Sequence, residues 1–297
     1  MQNLQMTRAI RLSNAIQDGM TGSNVVAALA ESGLKASFGE LLRRRGYGAQ
    51  LAQNTSLIGT LFNNAASRSL ITSSPYALRT LLTDYALRTA LFADAAAMAA
   101  FAASDSAMKA LARMIGPIIA EAMSSATAYG AISAVPSAKA TLLSSPALTK
   151  VSVPKMTSNS TPSGAASASS IYGAGYEAWR ALDEEPSTFW NSDGTYPSGS
   201  EWIRYSFPAD VHITRMTILP FGEPYSPKNC VIEFSANGSS FSSAKSISLL
   251  ADGAQEVEVS QYGFYRHWRL RVTSGHSATP DYIVVRSLNF TGFAKPL

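Results

Sequence analysis

Between residues 74 and 112 the chain keeps returning to one pattern. "SPYALRTLL" from Ser74, "TDYALRTALF" from Thr83, "ADAAAMAAFA" from Ala93 and "SDSAMKALA" from Ser104 share a Ser/Thr/Asp start and an Ala-Leu or Ala-Met pair. The Leu or Met falls at 78, 87, 98 and 108, intervals of 9, 11 and 10. "SSPALTKV" from Ser144 has the form of a late copy. Each unit places a potential N-cap before a few good helix formers and is too short to bury its own apolar side. Such units must stack on one another or on other chains. One reading is a run of short helices packed within a monomer. The other, favoured by the low charge and the scarcity of large aromatics, is a slender oligomeric shaft in which identical chains supply the missing core.

The two halves differ in makeup. Residues 1–155 hold 14 Lys/Arg against 7 Asp/Glu, whereas residues 156–297 hold 10 against 13. Aromatics divide 8 to 20, with all four tryptophans in the second part. At 297 residues, two domains are the expectation. Upstream of the repeat, "NVVAALAESGLKASFGELLRRRGYG" reads as one or two short helices, and Arg43 to Arg45 as a basic last turn and not a nucleic-acid site. The segment from Ala138 is rich in Ser, Thr, Ala and Pro, the makeup of an extended connector. The expected division is a helical region 1–137, a linker 138–155 and a β-domain 156–297.

The start of the chain lacks an apolar signal core, and "ALFADAAAMAAFAA" is shorter than the roughly 20 residues needed to cross a bilayer. Neither secretion by a signal peptide nor membrane insertion is expected. Cys230 is the only cysteine, which excludes an intrachain disulfide and places it in the strand "CVIEF".

In the second half, "EWIRYSF", "HITRMTIL", "CVIEFSA", "QEVEVS", "RHWRLRV" and "IVVRSLNF" are strand-like runs between Gly, Pro and Asn turns, with Asn237-Gly238 a hairpin signal. They predict an antiparallel β-sandwich, so the fold class is a multidomain α + β chain. The order of "YEAWRALDEEPSTFWNS", "SEWIRYSFPADVHITRMTIL", "NCVIEFSANGSSF" and "YRHWRLRVTSGHSATPDYIVVRSLNFTGF" resembles the discoidin, or coagulation factor 5/8 type C, family over roughly residues 156–294.

That resemblance implies a jelly-roll sandwich with a calcium-binding turn in some members, matched here by Ala181, Asp183 and Thr188. Glu184 stands where the family usually has glycine, and Ser287 where a late Glu would complete the metal set. The expectation is a structural corner without metal and no cofactor. The resemblance also implies recognition of sugars or lipid head groups by loops at one end, for which the candidates are Tyr196, Phe221, Tyr225, His276 and Tyr282. Aromatic faces stack on sugar C–H surfaces, and His or Arg supplies hydrogen bonds.

Catalysis is not expected. A glycosidase sets two carboxylates across a cleft, which three adjacent acids in "DEEPSTFWNS" do not supply. His212, His267 and His276 lack metal-ligand spacing, and no Gly-x-Ser-x-Gly is present. A helical start, short Ala-rich units, a Ser/Thr connector and a terminal discoidin-like module resemble bacteriophage tail and fibre proteins. The function expected is that of a non-enzymatic virion component: the first half anchors and forms a homo-oligomer, taken as a trimer, and the second binds host-surface glycan or another virion protein. The alternative is a free carbohydrate-binding adhesion protein.

Overall fold

The structure, a computed structural model, describes residues 55–63, 65–193, 201–277 and 282–297. The predicted helices within 24–48 and the arginines 43–45 lie outside these residues. The described chain divides at Leu148 and Thr149 into a helical unit and a β unit.

Among the described residues the helical unit contains α1 (Thr55–Asn63), α2 (Ala65–Thr72), α3 (Pro75–Thr83), α4 (Tyr85–Ala93), α5 (Ala95–Ala102), α6 (Asp105–Ala112), α7 (Gly116–Ser124), α8 (Ala126–Ser133) and α9 (Pro136–Leu143). Their starts are ten or eleven residues apart. Side-chain oxygens of Ser74, Asp84, Asp94, Ser104 and Ser125 accept the N–H three residues on, at 2.8–3.3 Å. Each such cap contributes about 1 kcal/mol. Where no capping side chain is present, α7 and α9 start with proline in the first turn, which loses no helical hydrogen bond there.

The buried stripe has a fixed form. Ala77, Leu78, Leu81 and Leu82 in α3 correspond to Ala97, Met98, Phe101 and Ala102 in α5, and to Ala107, Met108, Leu111 and Ala112 in α6. Adjacent pairs one turn apart lie on one helix face. That face is covered by helices further along the chain: α1 packs on α4 and α5, α3 on α6, α4 and α5 on α8, and α6 on α9.

Three expectations are corrected here. The short helices do not need other copies for a core, because Phe62, Phe101, Tyr129, Leu82, Leu87 and Leu91 are fully buried within the single chain. A few aromatics suffice because alanine lets the helices approach closely. The stretch from Ser144 is not a further helix: Ser144 caps the end of α9, and Ser145 starts a turn. The connector expected over 138–155 is divided between α9 and the first strand, since Lys139 and Leu142 fall in buried helical positions.

The β unit contains β1 (Lys150–Ser152), β2 (Ala165–Ala168), β3 (Trp190–Asn191), β4 (Trp202–Pro220), β5 (Pro227–Ser235), β6 (Ser242–Ser248), β7 (Gln255–Glu258), β8 (Tyr265–Gly275) and β9 (Val284–Ala294), all paired antiparallel. The two runs expected as separate strands around Pro208 are one strand. The β4 strand shifts register between Ser206 and Val211, pairing with β2 and β8 before the break and chiefly with β9 and β7 after it. It thereby serves both layers of an antiparallel sandwich. Trp190, Trp268, Tyr205, Phe290, Ile203, Leu270 and Ile232 fill the space between them, and Cys230 is buried with them. The "YEAWRAL" segment forms only a 3-10 turn at Ala178–Ala181. The Asn237-Gly238 turn joins β5 to β6, with Gly238 at φ +75° and Ser235 Oγ accepting its N–H.

Candidate functional site

At the acidic turn, Asp183 is buried and both its oxygens are engaged. Oδ1 accepts the Glu185 N–H at 2.9 Å and Oδ2 the Thr188 hydroxyl at 2.6 Å. The Thr188 oxygen also lies 3.2 Å from the Arg180 carbonyl and 2.9 Å from that of Glu185. Ala181 is fully buried in the core. Glu184 adopts φ 58°, the left-handed conformation that favours glycine. Lys155 pairs with Glu185 across the exposed side, each shifting the other's pKa toward the charged form through hydrogen bonding and charge. Calcium takes six to eight oxygens, commonly several from carboxylates. Of the three carboxylates on this turn, Asp183 is bonded internally, Glu185 is paired with Lys155 and Glu184 is exposed to solvent, and Ser287 lies on β9 opposite Leu219 with no carboxylate to add. The residues present do not fit the ion. Among the described residues no three His, Cys, Asp or Glu side chains are grouped to hold a metal.

The aromatic candidates behave differently. Phe221, Tyr225 and Tyr282 come together, and three rings not singled out from the sequence join them: Tyr172, Tyr176 and Phe189. The six form a closed circuit in which Tyr172 meets Tyr176, then Phe189, Phe221, Tyr225, Tyr282 and Tyr172 again, with ring centroids 5.1–6.4 Å apart. Several contacts are edge-to-face, the arrangement ring quadrupoles prefer. Tyr172 is 54% exposed and the other five are half-buried. The Arg286 guanidinium lies 4.7 Å from the Phe221 centroid, within cation–π range.

Backbone bonds from four chain segments hold the circuit. Tyr172 N–H donates to the Asn191 carbonyl, Asn191 N–H to Tyr176, and Val284 N–H to Tyr225. Trp190, at the start of β3, enters the core, its Nε1–H donating to the Ser170 carbonyl, while Phe189 just before the strand stays half-buried. Gly222, at φ +117°, turns the Phe221–Tyr225 loop, and Ser226 Oγ accepts its N–H at 2.7 Å while lying 2.6 Å from the Ala251 carbonyl. Asn191 Oδ1 is a buried acceptor at this end without a donor among the described residues. Buried acceptors of this kind call for a partner.

His276 is placed in support of the loop. Its N–H donates to the Ser226 carbonyl, its Nε2 lies 3.0 Å from the Leu249 carbonyl, and its Nδ1 lies 3.9 Å from Glu223. Tyr196 lies outside the described residues. His212 is buried against Phe264 with Nδ1 3.0 Å from the Gly263 carbonyl, and His267 bonds Ser206 on another strand, so the three histidines do not converge. Tyr172, Tyr176 and Phe189 had one sequence signal, an excess of aromatics in "IYGAGYEAW" and "TFW". Nothing local distinguishes the ring that faces out from the one that faces in.

An antiparallel sandwich with an aromatic loop cluster at one end defines the class of the β unit. Residues 165–280 match the family model of the F5/8 type C domain, and this segment is an F5/8 type C domain. Strands β1 and β9 extend the sandwich on either side of the match. Solved structures similar to the chain include chitosan-binding module 1 from a Paenibacillus chitosanase/glucanase, 22% identical, covering 43% of this chain and 93% of that one at a TM-score of 0.37. Another is a family 32 carbohydrate-binding module of Clostridium perfringens NanJ in complex with galactose, 14% identical, covering 48% and 99% at 0.39. A third is an F5/8 type C domain from Bacteroides fragilis, 16% identical, covering 50% and 99% at 0.39. No curated protein matches the chain.

Proposed function

We propose that the β unit is a carbohydrate-binding domain whose ligand rests on the Tyr172–Tyr176–Phe189–Phe221–Tyr225–Tyr282 circuit, and that the chain acts by binding and not by catalysis. The observation that carries this reading is the circuit itself: six rings from four segments, partly open to solvent, with Arg286 beside them. Ring faces suit the C–H surfaces of a sugar, while phenol hydroxyls and a guanidinium suit its oxygens.

The buried carboxylates of the sandwich support the non-catalytic part. Glu201 accepts the Ser169 and Ser170 hydroxyls, Glu233 holds two arginines, and Asp183 closes its turn. A pair of carboxylates free to act across a glycosidic bond is what a glycosidase requires. In the setting suggested by the chain's architecture, a virion, the helical unit anchors and the sandwich is presented to a host-surface glycan.

Titration calorimetry with chitotriose and with galactose tests the proposal, these being ligands of proteins with the same fold. Binding of either, weakened about tenfold or more by Tyr282→Ala and by Phe221→Ala with the fold intact, is expected from the loss of stacking contacts. Affinity unchanged by both substitutions, or absence of saccharide binding, would sink it.

A further inference from the structure

The outer face of the sheet formed by β2, β4, β8, β5 and β6 carries a second constellation, separate from the loop circuit. Alternation along the strands sends Ile203, Tyr205, Trp268, Leu270 and Ile232 inward, so Arg204, Arg269 and Glu233 face out. The register places Arg204 directly opposite Arg269, and Arg269 opposite Glu233. Arg271 follows two residues later on β8, about 7 Å along the strand, and is itself opposite Trp202.

Like charges directly opposed across strands are destabilising. Among the described residues one carboxylate pairs with them: Glu233 bonds Arg269 at 2.6 Å and Arg271 at 2.8 Å. Arg204 is bonded instead to neutral groups, Ser167 Oγ and the Gly238 carbonyl, both at 2.9 Å. Two aromatic rings fix the guanidinium groups. Arg269 lies 3.8 Å from the Phe241 centroid and 5.5 Å from that of Trp202, and Arg204 lies 5.2 Å from Trp202. Stacking of this kind leaves guanidinium edges available for hydrogen bonding. Burial and the nearby Arg269 push the Arg204 pKa down, and burial with the charges of Arg204 and Arg266 lowers that of His267. The face is thus rigid, aromatic and positive beyond what Glu233 neutralises.

We infer that this face, built from Trp202, Arg204, Phe241, Arg269 and Arg271, is a binding surface for a short oligosaccharide bearing sulfate or carboxylate groups. Arginine forks match both oxyanions in a bidentate manner, and Trp202 and Phe241 give the edge an apolar surface for a sugar ring. The positive charge is local, since residues 156–297 hold 10 Lys/Arg against 13 Asp/Glu. A short ligand carrying a few charges suits such a patch, whereas a long polyanion would meet a net-acidic domain.

The test is titration of the full chain, at about 50 mM salt where surface charge is weakly screened, with a heparin-derived hexasaccharide, its desulfated form and an oligogalacturonate. Binding of the sulfated or the uronate oligomer is expected, with preference between these two arms identifying the oxyanion. Arg271→Gln, at a partly exposed site, weakens binding about tenfold, as loss of a charge-assisted bond should. Arg204→Gln abolishes it in protein whose fold is verified by circular dichroism, and Trp202→Leu weakens it should the Arg204 variant not fold. Tyr282→Ala leaves it unchanged, separating this surface from the loop circuit. Failure of both oligomers to bind, indifference to Arg271→Gln and Trp202→Leu together, or equal affinity for single-stranded DNA of the same charge would overturn the inference.

Discussion

The helical unit and the sandwich solve the same problem, burying apolar surface, over different chain distances. In the helical unit, the half-buried Arg88–Glu121 pair and the bond from Ser125 to the Phe92 carbonyl each span 33 residues, and each helix is covered by helices one to four places along. In the sandwich, β1 at Lys150–Ser152 pairs with β9 at Thr291–Phe293, closing nearly the whole unit at once. A structure of stacked neighbours sums many small interfaces, whereas a sheet closed by its ends gains its core only when distant strands meet. A defect is therefore expected to stay local in the first and to spread in the second.

The largest expected effect probes that contrast in the sandwich. Trp190→Ala empties a fully buried aromatic site and should cost roughly 3–5 kcal/mol, lowering the whole β unit's transition in denaturant while leaving the helical signal in place. A melting curve that does not move would put Trp190 outside the core. Leu91→Ala removes a side chain as fully buried in α4 and should cost about 2–4 kcal/mol. Hydrogen exchange should locate the loosening in α4 and the helices packed on it. Uniform loss of protection from α1 to α9 would mean that the helical unit is as cooperative as the sandwich.

Alkaline pH separates the units further. Burial pushes the Cys230 thiol from its ordinary 9.0 up to about 12, so the folded state retains a proton that the unfolded chain releases. That stabilisation is present below pH 9 and is lost as pH rises toward 12, by roughly 1 kcal/mol per pH unit. Cys230→Ala should flatten the decline for the sandwich, and the helical unit, which has no cysteine, should not respond. An identical slope in wild type and variant would contradict this account.

The smallest effects compare two carboxylates used as caps. Asp94→Ala, at the start of α5, should cost about 1 kcal/mol, and Asp183→Ala, which frees the Glu185 N–H and the Thr188 hydroxyl, about 1–2 kcal/mol. For Asp183 the loss should be equal in chelator and in millimolar calcium. A calcium-dependent rise in melting temperature that vanishes in Asp183→Ala would establish a metal role for this turn, since a ligand selective for the folded state stabilises it.

Much of this was legible locally. The caps at Ser74 and Ser104, the Ala-Leu and Ala-Met pairs, and the strand-like runs, two of which join as β4, all follow from short-range pattern and turn chemistry. The helices α7 and α8 were not read as part of the series, and most of α9 was assigned to the connector from Ala138 because "SAKATLLSS" has the makeup of a Ser/Ala-rich linker. Composition is the weaker guide there, since Tyr129, Ile132 and Leu142 fall on the buried stripe. Half of the aromatic circuit was legible in Phe221, Tyr225 and Tyr282. His276 was not distinguishable from a ligand group until its bonds to loop carbonyls placed it as a support.

The sequence by itself determined where elements begin, which residues alternate inward and where the chain changes from local to long-range packing, because caps, periodicity and turn residues act within a few positions. Only the tertiary structure decided that the short helices cover one another inside a single chain, that one strand serves both layers of the sandwich, and that Tyr172, Phe189, Phe221 and Tyr282 share a circuit. These outcomes depend on strand register and on the covering of one buried face by another. Both are settled by contacts between residues far apart in the chain, where no local preference carries the information.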